Sequence, residues 1–407
     1  MYKKILFLLI IFCICFTQAQ EPVSIQITEK DGLPDIEFYD ILEDSKGFIW
    51  LASDSGLYRY DGKTYTQYTN VEKRGLSVFE LFEDKKGRVW CTNISGQFFY
   101  IENNKLVTFI DLKDVLKGRL AKFSISGNYL LINLATEIFT VDLKTKKTKK
   151  ILNSNPGGLS NIVFFKNKFT FINYKEIFIY DDIFLYNNDF QVVERFKNNI
   201  HHTDKKGNFT GQGSTFLFKL KDAFFMGQQF KFQNIVSNIN LSTGNITLTN
   251  GLDILKDKRI IRYQVVKDKL WVLTYAGIYI FENNKNNFRL KKHILNDEIV
   301  TKVIIDKDEN YWVSTLVNGL YLMPNIEIVD SKLPKEINDI TVLDKVNDSV
   351  VFFGTKKGNV GFLNINKNTY KTSSNLKNRV SKILYNNHKK YSYVSTDNNS
   401  FLLDNKT

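Results

Sequence analysis

Two pairs of carboxylates in this chain stand close to a tryptophan and could carry acid–base chemistry. Glu43-Asp44 precedes Trp50, and Glu83-Asp84 precedes Trp90. Paired carboxylates are used for general acid and base catalysis, and a tryptophan beside them could stack on a sugar ring. However, the two groups recur 40 residues apart, as EDSKGFIW and EDKKGRVW. The equal spacing favours a structural role, in which the carboxylates form turns and the tryptophans pack between neighbouring repeats.

Other residues that could bind a metal or attack a substrate are few. The four histidines are His201, His202, His293 and His388, and the adjacent pair would point to opposite faces of a strand. Asp306–Asn310 resembles the start of a calcium loop but lacks the glycine at position six and the glutamate at position twelve, so it predicts a hairpin turn. The sequence therefore predicts no catalytic residue, no metal site and no cofactor, and it leaves the ligand-binding residues unassigned.

The first nineteen residues predict a secretory signal peptide with cleavage near Ala19. Lys3 and Lys4 give a basic start, and Ile5–Phe16 is an unbroken apolar run. This run is shorter than the roughly 20 residues that span a bilayer, so a retained anchor is the weaker alternative. Cleavage would remove two of the three cysteines and leave Cys91 as a buried, unreactive thiol. A periplasmic location follows from this prediction.

The formal charge of +13 does not by itself predict a nucleic-acid partner. Export removes the protein from most nucleic acid, and the lysines are spread along the chain. The one dense run, Lys144–Lys150, predicts a solvated loop between strands, with a polyanion-binding patch as the alternative.

A repeat of about 40 residues positions all of these groups. Short aromatic and β-branched strands separated by turns predict antiparallel meanders, which must stack on one another to be stable. In the unit of Trp312, Glu309 stands where Gly47 and Gly87 stand, which predicts a different turn there. We count nine repeats, each with an aromatic residue or leucine in one slot of its inner strand: Trp50, Trp90, Leu131, Phe171, Phe225, Trp271, Trp312, Phe352 and Tyr393.

This period predicts an all-β fold of the β-propeller class. Single rings hold roughly 4 to 8 blades. We therefore predict a seven-bladed propeller over residues 20–330, closed by pairing Val23–Thr28 with its last blade. Residues 331–407 would form an incomplete second propeller of about two blades. Because two blades cannot close a ring, the sequence suggests a truncated protein, and a single eight-bladed ring is the alternative.

Residues 32–60, GLPDIEFYDILEDSKGFIWLASDSGLYRY, closely resemble the two-component regulator propeller repeat, and residues 75–100 form a second copy. The resemblance implies the periplasmic sensor region of hybrid and related sensor histidine kinases of Bacteroidetes. In that family two seven-bladed propellers precede a β-sandwich, a membrane helix and a kinase. The sequence shows neither a membrane span after the signal peptide nor a kinase motif.

We therefore expect an exported, non-catalytic sensing module that binds an oligosaccharide or a similar extracellular small molecule and signals through a homodimer. Aromatic and amide side chains of the connections suit sugar binding, among them Tyr65, Tyr68 and Asn103-Asn104. Two alternatives stay open. A propeller enzyme acting on polysaccharide would need carboxylates or histidines that converge at the central channel. A protein-interaction scaffold of the cell envelope is the other, and fold alone cannot choose among them.

Overall fold

The computed structural model of this chain consists almost entirely of antiparallel β-strands. It describes residues 22–153, 157–159, 161, 163–165, 168–175, 180–186, 192–197, 214–230, 233–240, 243, 245–326, 333, 337, 339–365, 367, 369–386 and 391–404. Helical segments are short: the 3-10 turns Glu29–Asp31 and Asp253–Leu255, and the α-helix Lys113–Leu116. In these ranges no helix is long and apolar enough to cross a membrane. The predicted signal peptide, residues 1–19, lies outside them, as do His201, His202 and His388.

The packing of the chain divides it into an N-terminal unit, Met1–Ile328, and a C-terminal unit, Val329–Thr407. The domain limits that the sequence suggests, 20–330 and 331–407, stay a prediction. In its described part the N-terminal unit holds seven antiparallel sheets, which we number as blades 1 to 7 in chain order. Two more sheets, blades 8 and 9, form the C-terminal unit.

The strands of blades 1 to 4 follow the repeat. Blade 1 contains β2 (Phe38–Glu43), β3 (Ile49–Ser53), β4 (Leu57–Tyr60) and β5 (Tyr65–Tyr68), after a first strand β1 (Ile25–Ile27). Blade 2 contains β6 (Phe79–Glu83), β7 (Val89–Thr92), β8 (Gln97–Glu102) and β9 (Lys105–Asp111). Blade 3 contains β10 (Lys122–Ser126), β11 (Tyr129–Asn133), β12 (Glu137–Asp142) and β13 (Thr148–Asn153). Blade 4 contains β14 (Gly157–Leu159), β15 (Val163–Phe165), β16 (Lys168–Lys175), β17 (Tyr180–Tyr186) and β18 (Val192–Lys197).

Blades 5 to 9 have the same order. Blade 5 contains β19 (Ser214–Leu220), β20 (Ala223–Phe230), β21 (Gln233–Ile239) and β22 (Ile246–Leu248). Blade 6 contains β23 (Ile260–Val266), β24 (Lys269–Thr274), β25 (Gly277–Asn284) and β26 (Asn287–Ile294). Blade 7 contains β27 (Val300–Ile305), β28 (Tyr311–Thr315) and β29 (Leu320–Met323). Blade 8 contains β30 (Ile340–Lys345), β31 (Val350–Thr355), β32 (Asn359–Asn364) and β33 (Thr369–Asn375), and blade 9 contains β34 (Val380–Leu384), β35 (Tyr391–Thr396) and β36 (Ser400–Asp404).

The N-terminal unit closes on itself through its first strand. β1 pairs antiparallel with β29, with Ile25 opposite Leu322 and Ile27 opposite Leu320, so β1 is the fourth strand of blade 7. The inner strand β2 of blade 1 also contacts β27 of blade 7. This is the predicted closing pairing, shorter than the predicted Val23–Thr28, and the β-propeller fold is confirmed. The prediction that the slot lies on the inner strand is wrong. All nine slot residues lie on the strand that follows the inner strand in their sheet, from Trp50 on β3 to Tyr393 on β35.

The slot tryptophans pack between neighbouring blades, as the sequence predicts. Trp50 lies in a buried cluster with Leu81 and Cys91 of blade 2. Trp271 stacks on Tyr311 of blade 7 with ring centroids 5.5 Å apart. Trp312 joins a cluster with residues of blade 1 and thereby seals the ring. Burying side chains of this size gives each roughly 1.5–3 kcal/mol or more of stabilisation, so the blade interfaces carry much of the free energy of folding.

An aspartate six residues before the slot ties three of these tryptophans to the preceding turn. In blade 1, Asp44 Oδ2 accepts a hydrogen bond of 2.8 Å from Trp50 Nε1, and its Oδ1 accepts from the backbone amides of Lys46 and Phe48. Asp84 in blade 2 and Asp306 in blade 7 repeat this arrangement with Trp90 and Trp312, again at 2.8 Å. We call it the Asp–Trp clamp. The repeated aspartates are therefore turn residues, as predicted.

The glutamate beside each of the first two aspartates joins consecutive blades. Glu83 of blade 2 accepts hydrogen bonds from the Ser45 amide and hydroxyl of blade 1, at 2.9 and 2.6 Å. Glu43 of blade 1 accepts in the same way from the Lys307 amide of blade 7, at 3.1 Å. The second contact repeats the first across the closure of the ring.

The prediction of a different turn at Glu309 is wrong. Gly47 and Gly87 have φ values of 85° and 72°, and Glu309 has a φ of 67° in an equivalent turn. Asp306 accepts from the backbone amides of Asp308 and Asn310, as Asp44 and Asp84 do at the corresponding positions. The hydrogen bonds of the turn therefore outweigh the cost of a left-handed glutamate. The prediction that Asp306–Asn310 forms a hairpin turn is confirmed.

The clamp predicts that Asp306→Ala destabilises the protein by about 1.5–3 kcal/mol, because hydrogen bonds to a charged acceptor are lost. Urea unfolding of Asp306→Ala, Trp312→Phe and the double variant should give a coupling free energy of about 0.5–3 kcal/mol. Trp271→Phe is the matched control, because Trp271 Nε1 has no partner among the described residues. Additive effects of the Asp306 and Trp312 substitutions would contradict the clamp.

The clamp also predicts a loss of stability in acid. Burial disfavours the Asp84 and Asp306 carboxylates, but hydrogen bonds from Trp90, Arg88, Asn310 and Trp312 outweigh it and hold both pKa values below the usual value of 3.8. A lowered native pKa gives stability that is complete above pH of about 4 and is lost as the pH falls through the native pKa. The urea midpoint should therefore fall less between pH 5 and pH 3 in Asp84→Asn/Asp306→Asn than in the unmodified protein. Equal decreases would refute this prediction.

Candidate functional site

In the N-terminal unit the inner strands of five blades carry a charged residue at the same position. It lies nine or ten residues before the slot, in strands that are otherwise largely apolar. In blades 1, 6 and 7 a β-bulge lies directly before it. Bulges re-aim side chains, and they are frequent beside functional sites. The five residues are Asp40, Glu80, Lys122, Arg262 and Lys302.

A cavity of about 440 Å³ lies among the inner strands of the N-terminal unit. This volume falls within the range of roughly 300–1,000 Å³ that is typical of small-molecule sites. Blades 2, 3, 5, 6 and 7 contribute to its wall, together with Asn161 before β15. The lining residues are Glu80, Lys122, Phe123, Ser124, Leu131, Asn133, Asn161, Phe216–Lys219, Arg262–Val265 and Lys302.

Positive charge predominates in this wall. Lys122, Lys219, Arg262 and Lys302 line the cavity, and Glu80 is the carboxylate among the lining residues. Glu80 has a φ of 48° within the bulge of β6, which places it in the left-handed region. The repeated fold thus brings cations from four different blades to one cavity.

Asp40 lies beside the cavity, and its carboxylate is already occupied. Its Oδ1 forms an ion pair of 2.6 Å with Lys302 Nζ and accepts from the amide of Ile41. Its Oδ2 accepts a hydrogen bond of 2.7 Å from Leu81 N, which the bulge of β6 leaves outside the strand ladder. Because only 2% of Asp40 is exposed, this carboxylate joins blades 7, 1 and 2 and is not open to a ligand.

Lys122 is exposed at the cavity, while protein surrounds its ammonium group. Burial lowers the pKa of its ammonium group; the Glu80 carboxylate opposes this shift, the Arg262 guanidinium adds to it, and Asp40 opposes it more weakly. The net decrease means that the nearby carboxylates do not balance burial and the like charge of Arg262.

Aromatic rings form the apolar part of the wall. Tyr263 packs parallel to Phe218 with ring centroids 5.3 Å apart, and it lies 5.4 Å from Phe216. The Tyr263 hydroxyl is buried and has no hydrogen-bond partner among the described residues. Rings beside charged groups can bind an amphipathic ligand such as a sugar derivative.

The side chains that the sequence suggests for sugar binding contact other side chains at the blade interfaces instead. Tyr68 is 5% exposed, packs on Trp50 and donates a hydrogen bond to Asn104 of blade 2. Asn104 also accepts from Arg59, at 3.2 Å. Tyr65 stacks on Tyr60 with centroids 4.6 Å apart. The interpretation of Tyr68 and Asn104 as open sugar contacts is therefore wrong.

Other residues singled out in the sequence also have structural surroundings. Cys91 is fully buried, as predicted, and burial raises the pKa of its thiol to about 12. His293 stacks on Tyr279 with centroids 3.8 Å apart and lies 2.7 Å from the Ala276 carbonyl oxygen. The run Lys144–Lys150 spans the turn between β12 and β13, where Lys150 pairs with Glu137. In the described ranges no group of three or more histidines, cysteines or carboxylates could hold a metal ion.

Sequence reasoning missed the cavity residues Lys122, Arg262 and Lys302. The available signal was a charged residue on an inner strand, nine or ten residues before the slot. The sign of this charge differs from blade to blade, so the position does not stand out as a repeated residue.

Comparison with known proteins finds one family model and several solved structures that this chain resembles. Residues 32–55 match the family model described as two component regulator propeller, which confirms the resemblance of the first repeat. The extracellular domain of the hybrid two-component system BT3049 from B. thetaiotaomicron superposes with a TM-score of 0.60 at 16% identity. That alignment covers 95% of this chain and 54% of the other. No curated protein sequence matches the chain.

Two further structures show the same fold. The extracellular domain of BT4673 from B. thetaiotaomicron has a TM-score of 0.52 at 14% identity, covering 95% of this chain and 53% of that one. Virginiamycin B lyase from Staphylococcus aureus has a TM-score of 0.54 at 13% identity, covering 75% of this chain and 99% of the lyase. This chain thus spans about half the length of the extracellular domains that it matches. At these identities the likeness concerns the fold.

The ion pair beside the cavity predicts that Lys302→Met destabilises the protein by about 3–5 kcal/mol, because Asp40 keeps a buried charge without its cation. Asp40→Asn/Lys302→Met should recover most of this loss in urea unfolding. Lys382→Met is the matched control, since Lys382 of β34 pairs with the second residue after the slot, as Lys302 does on β27, and is exposed. We expect a change within about 0.5 kcal/mol. Equal effects of the two lysine substitutions would contradict the assignment.

Proposed function

We propose that this chain is the ligand-sensing part of an exported two-component receptor and that it binds an oligosaccharide or a similar extracellular nutrient in the periplasm. The observation that carries the proposal is the match of residues 32–55 to the two-component regulator propeller family. The shared fold with extracellular domains of two-component systems over 95% of the chain supports it. The signal peptide predicted at residues 1–19 agrees with export.

The cavity supports binding without chemistry on the ligand. Its wall combines cations, amides and aromatic rings, which can orient a polar molecule. A hydrolase or lyase would need converging acid and base groups. Glu80 is the carboxylate of the wall, Asp40 is held by Lys302 and two amides, and the lining residues of the described part include no histidine. We therefore favour a sensor over an enzyme.

In this proposal the two propeller domains, residues 20–330 and 331–407, contribute to a larger receptor region. Ligand occupancy would be transmitted by a homodimer to a kinase. The chain covers about half of the length of the matched extracellular domains, which agrees with its proposed place as one part of a larger receptor region.

The proposal predicts that at least one fragment in a panel of polysaccharide oligomers raises the melting temperature of the chain. A ligand at 100 times its dissociation constant adds about 2.7 kcal/mol to the stability of the folded state, which corresponds to a shift of a few degrees. Each oligomer is compared with its constituent monosaccharides at equal mass concentration. A complete panel without a shift would contradict the sensing role.

A further inference from the structure

We infer that the ligand of this cavity carries an anionic group, a carboxylate or a sulfate, and that Arg262 and Lys122 bind it. This inference rests on the proposed function, because it names the chemical class of ligand for the same site. It follows from the distribution of charge around the cavity.

The charges of the wall do not balance. Lys302 is neutralised by Asp40 through their ion pair of 2.6 Å. Glu80 is then the carboxylate that faces Lys122, Lys219 and Arg262. In the part of the chain that the structure describes, no carboxylate forms an ion pair with Arg262. At least one positive charge is therefore available to a ligand.

Lys122 and Arg262 also oppose each other. They come from blades 3 and 6 and both line the cavity, and Arg262 disfavours the charged form of Lys122. Two like charges in a confined, partly desolvated space are unfavourable unless a counter-charge joins them. An anion bound between them would remove this repulsion.

The repeat itself does not require these cations. The same inner-strand position is occupied by Val342 in blade 8, so a charge there is not a condition for forming a blade. Forming the blade therefore does not account for the cations of blades 3 and 6.

The residue types suit an organic anion. A guanidinium presents a planar fork that matches the oxygens of a carboxylate or a sulfate, and an ammonium adds a point charge. The aromatic side chains Phe216 and Tyr263 in the same wall can contact the uncharged part of the molecule. An acidic oligosaccharide combines both features.

Isothermal titration calorimetry can test this inference with trigalacturonate, its uncharged methyl ester and inorganic sulfate. We expect trigalacturonate or sulfate to bind, and the ester to bind at least about tenfold more weakly than the acid, because the ester lacks the negative charge that pairs with the two cations. Arg262→Gln and Lys122→Met should each weaken binding of the anion by about tenfold or more. Lys382→Met, which makes the same change at the same position of blade 9, should leave it unchanged.

The melting temperature without ligand gives a second measurement. Removing one of two opposed cations should leave it equal or raise it in Arg262→Gln and Lys122→Met, which also shows that the variants fold. The inference is overturned if neither anion binds, if the ester binds as tightly as the acid, or if both variants bind the anions unchanged. Binding of neutral oligomers that is indifferent to both substitutions would overturn this inference and leave the sensing role intact.

Discussion

The hydrogen bond from a slot indole to the aspartate six residues earlier fixes the turn and the packing of the indole in blades 1, 2 and 7. One carboxylate holds both the turn and the large side chain that fills the next blade interface, so local and long-range structure are set together. Asp44, Asp84 and Asp306 do this with the same distance of 2.8 Å. Hydrogen bonds to an ionised acceptor are stronger than neutral ones, and burial of the indole adds apolar free energy. In blades 1, 2 and 7 the clamp therefore determines the position at which the blade meets its neighbour.

Ring closure uses the same contacts as the interface between blades 1 and 2. Trp312 packs against blade 1, Glu43 caps the Lys307 turn as Glu83 caps the turn of Ser45, and β1 covers the edge that β29 would otherwise expose. An unpaired strand edge invites association with other chains, and completing blade 7 with the first strand removes that edge. The closure therefore needs no contact type beyond those of the repeat, except for the strand that the N-terminal segment supplies.

The sequence predicts the repeated features well because each blade is an independent copy of the same signal. The position of the slot and the position of the turn can be inferred from several copies of the repeat that agree. The predicted position of blade 5 at Phe225 is confirmed, although the repeat is weak there. Features that occur in a single blade are harder to predict from the sequence. Glu309 keeps a turn that its residue type opposes, and Trp271 lacks a clamp because Val265 stands six residues before it. Tyr68 and Asn104 meet across an interface whose geometry exists only after the blades have stacked. The arrangement of the cavity wall could not be predicted for the same reason, since the wall joins strands from different blades.

One position of the repeat shows how a uniform scaffold acquires a specific site. The residue nine or ten places before the slot lies on the inner strand, outside the clamp, and its charge differs from blade to blade. In blade 1 it is Asp40, whose contacts with Lys302 and Leu81 make it part of the structure. In blades 3 and 6 it is Lys122 and Arg262, whose charges no carboxylate in the described ranges fully balances. In the proposed function a bound anion offsets the electrostatic cost of these two cations, at the inner-strand position where the repeat departs from uniformity.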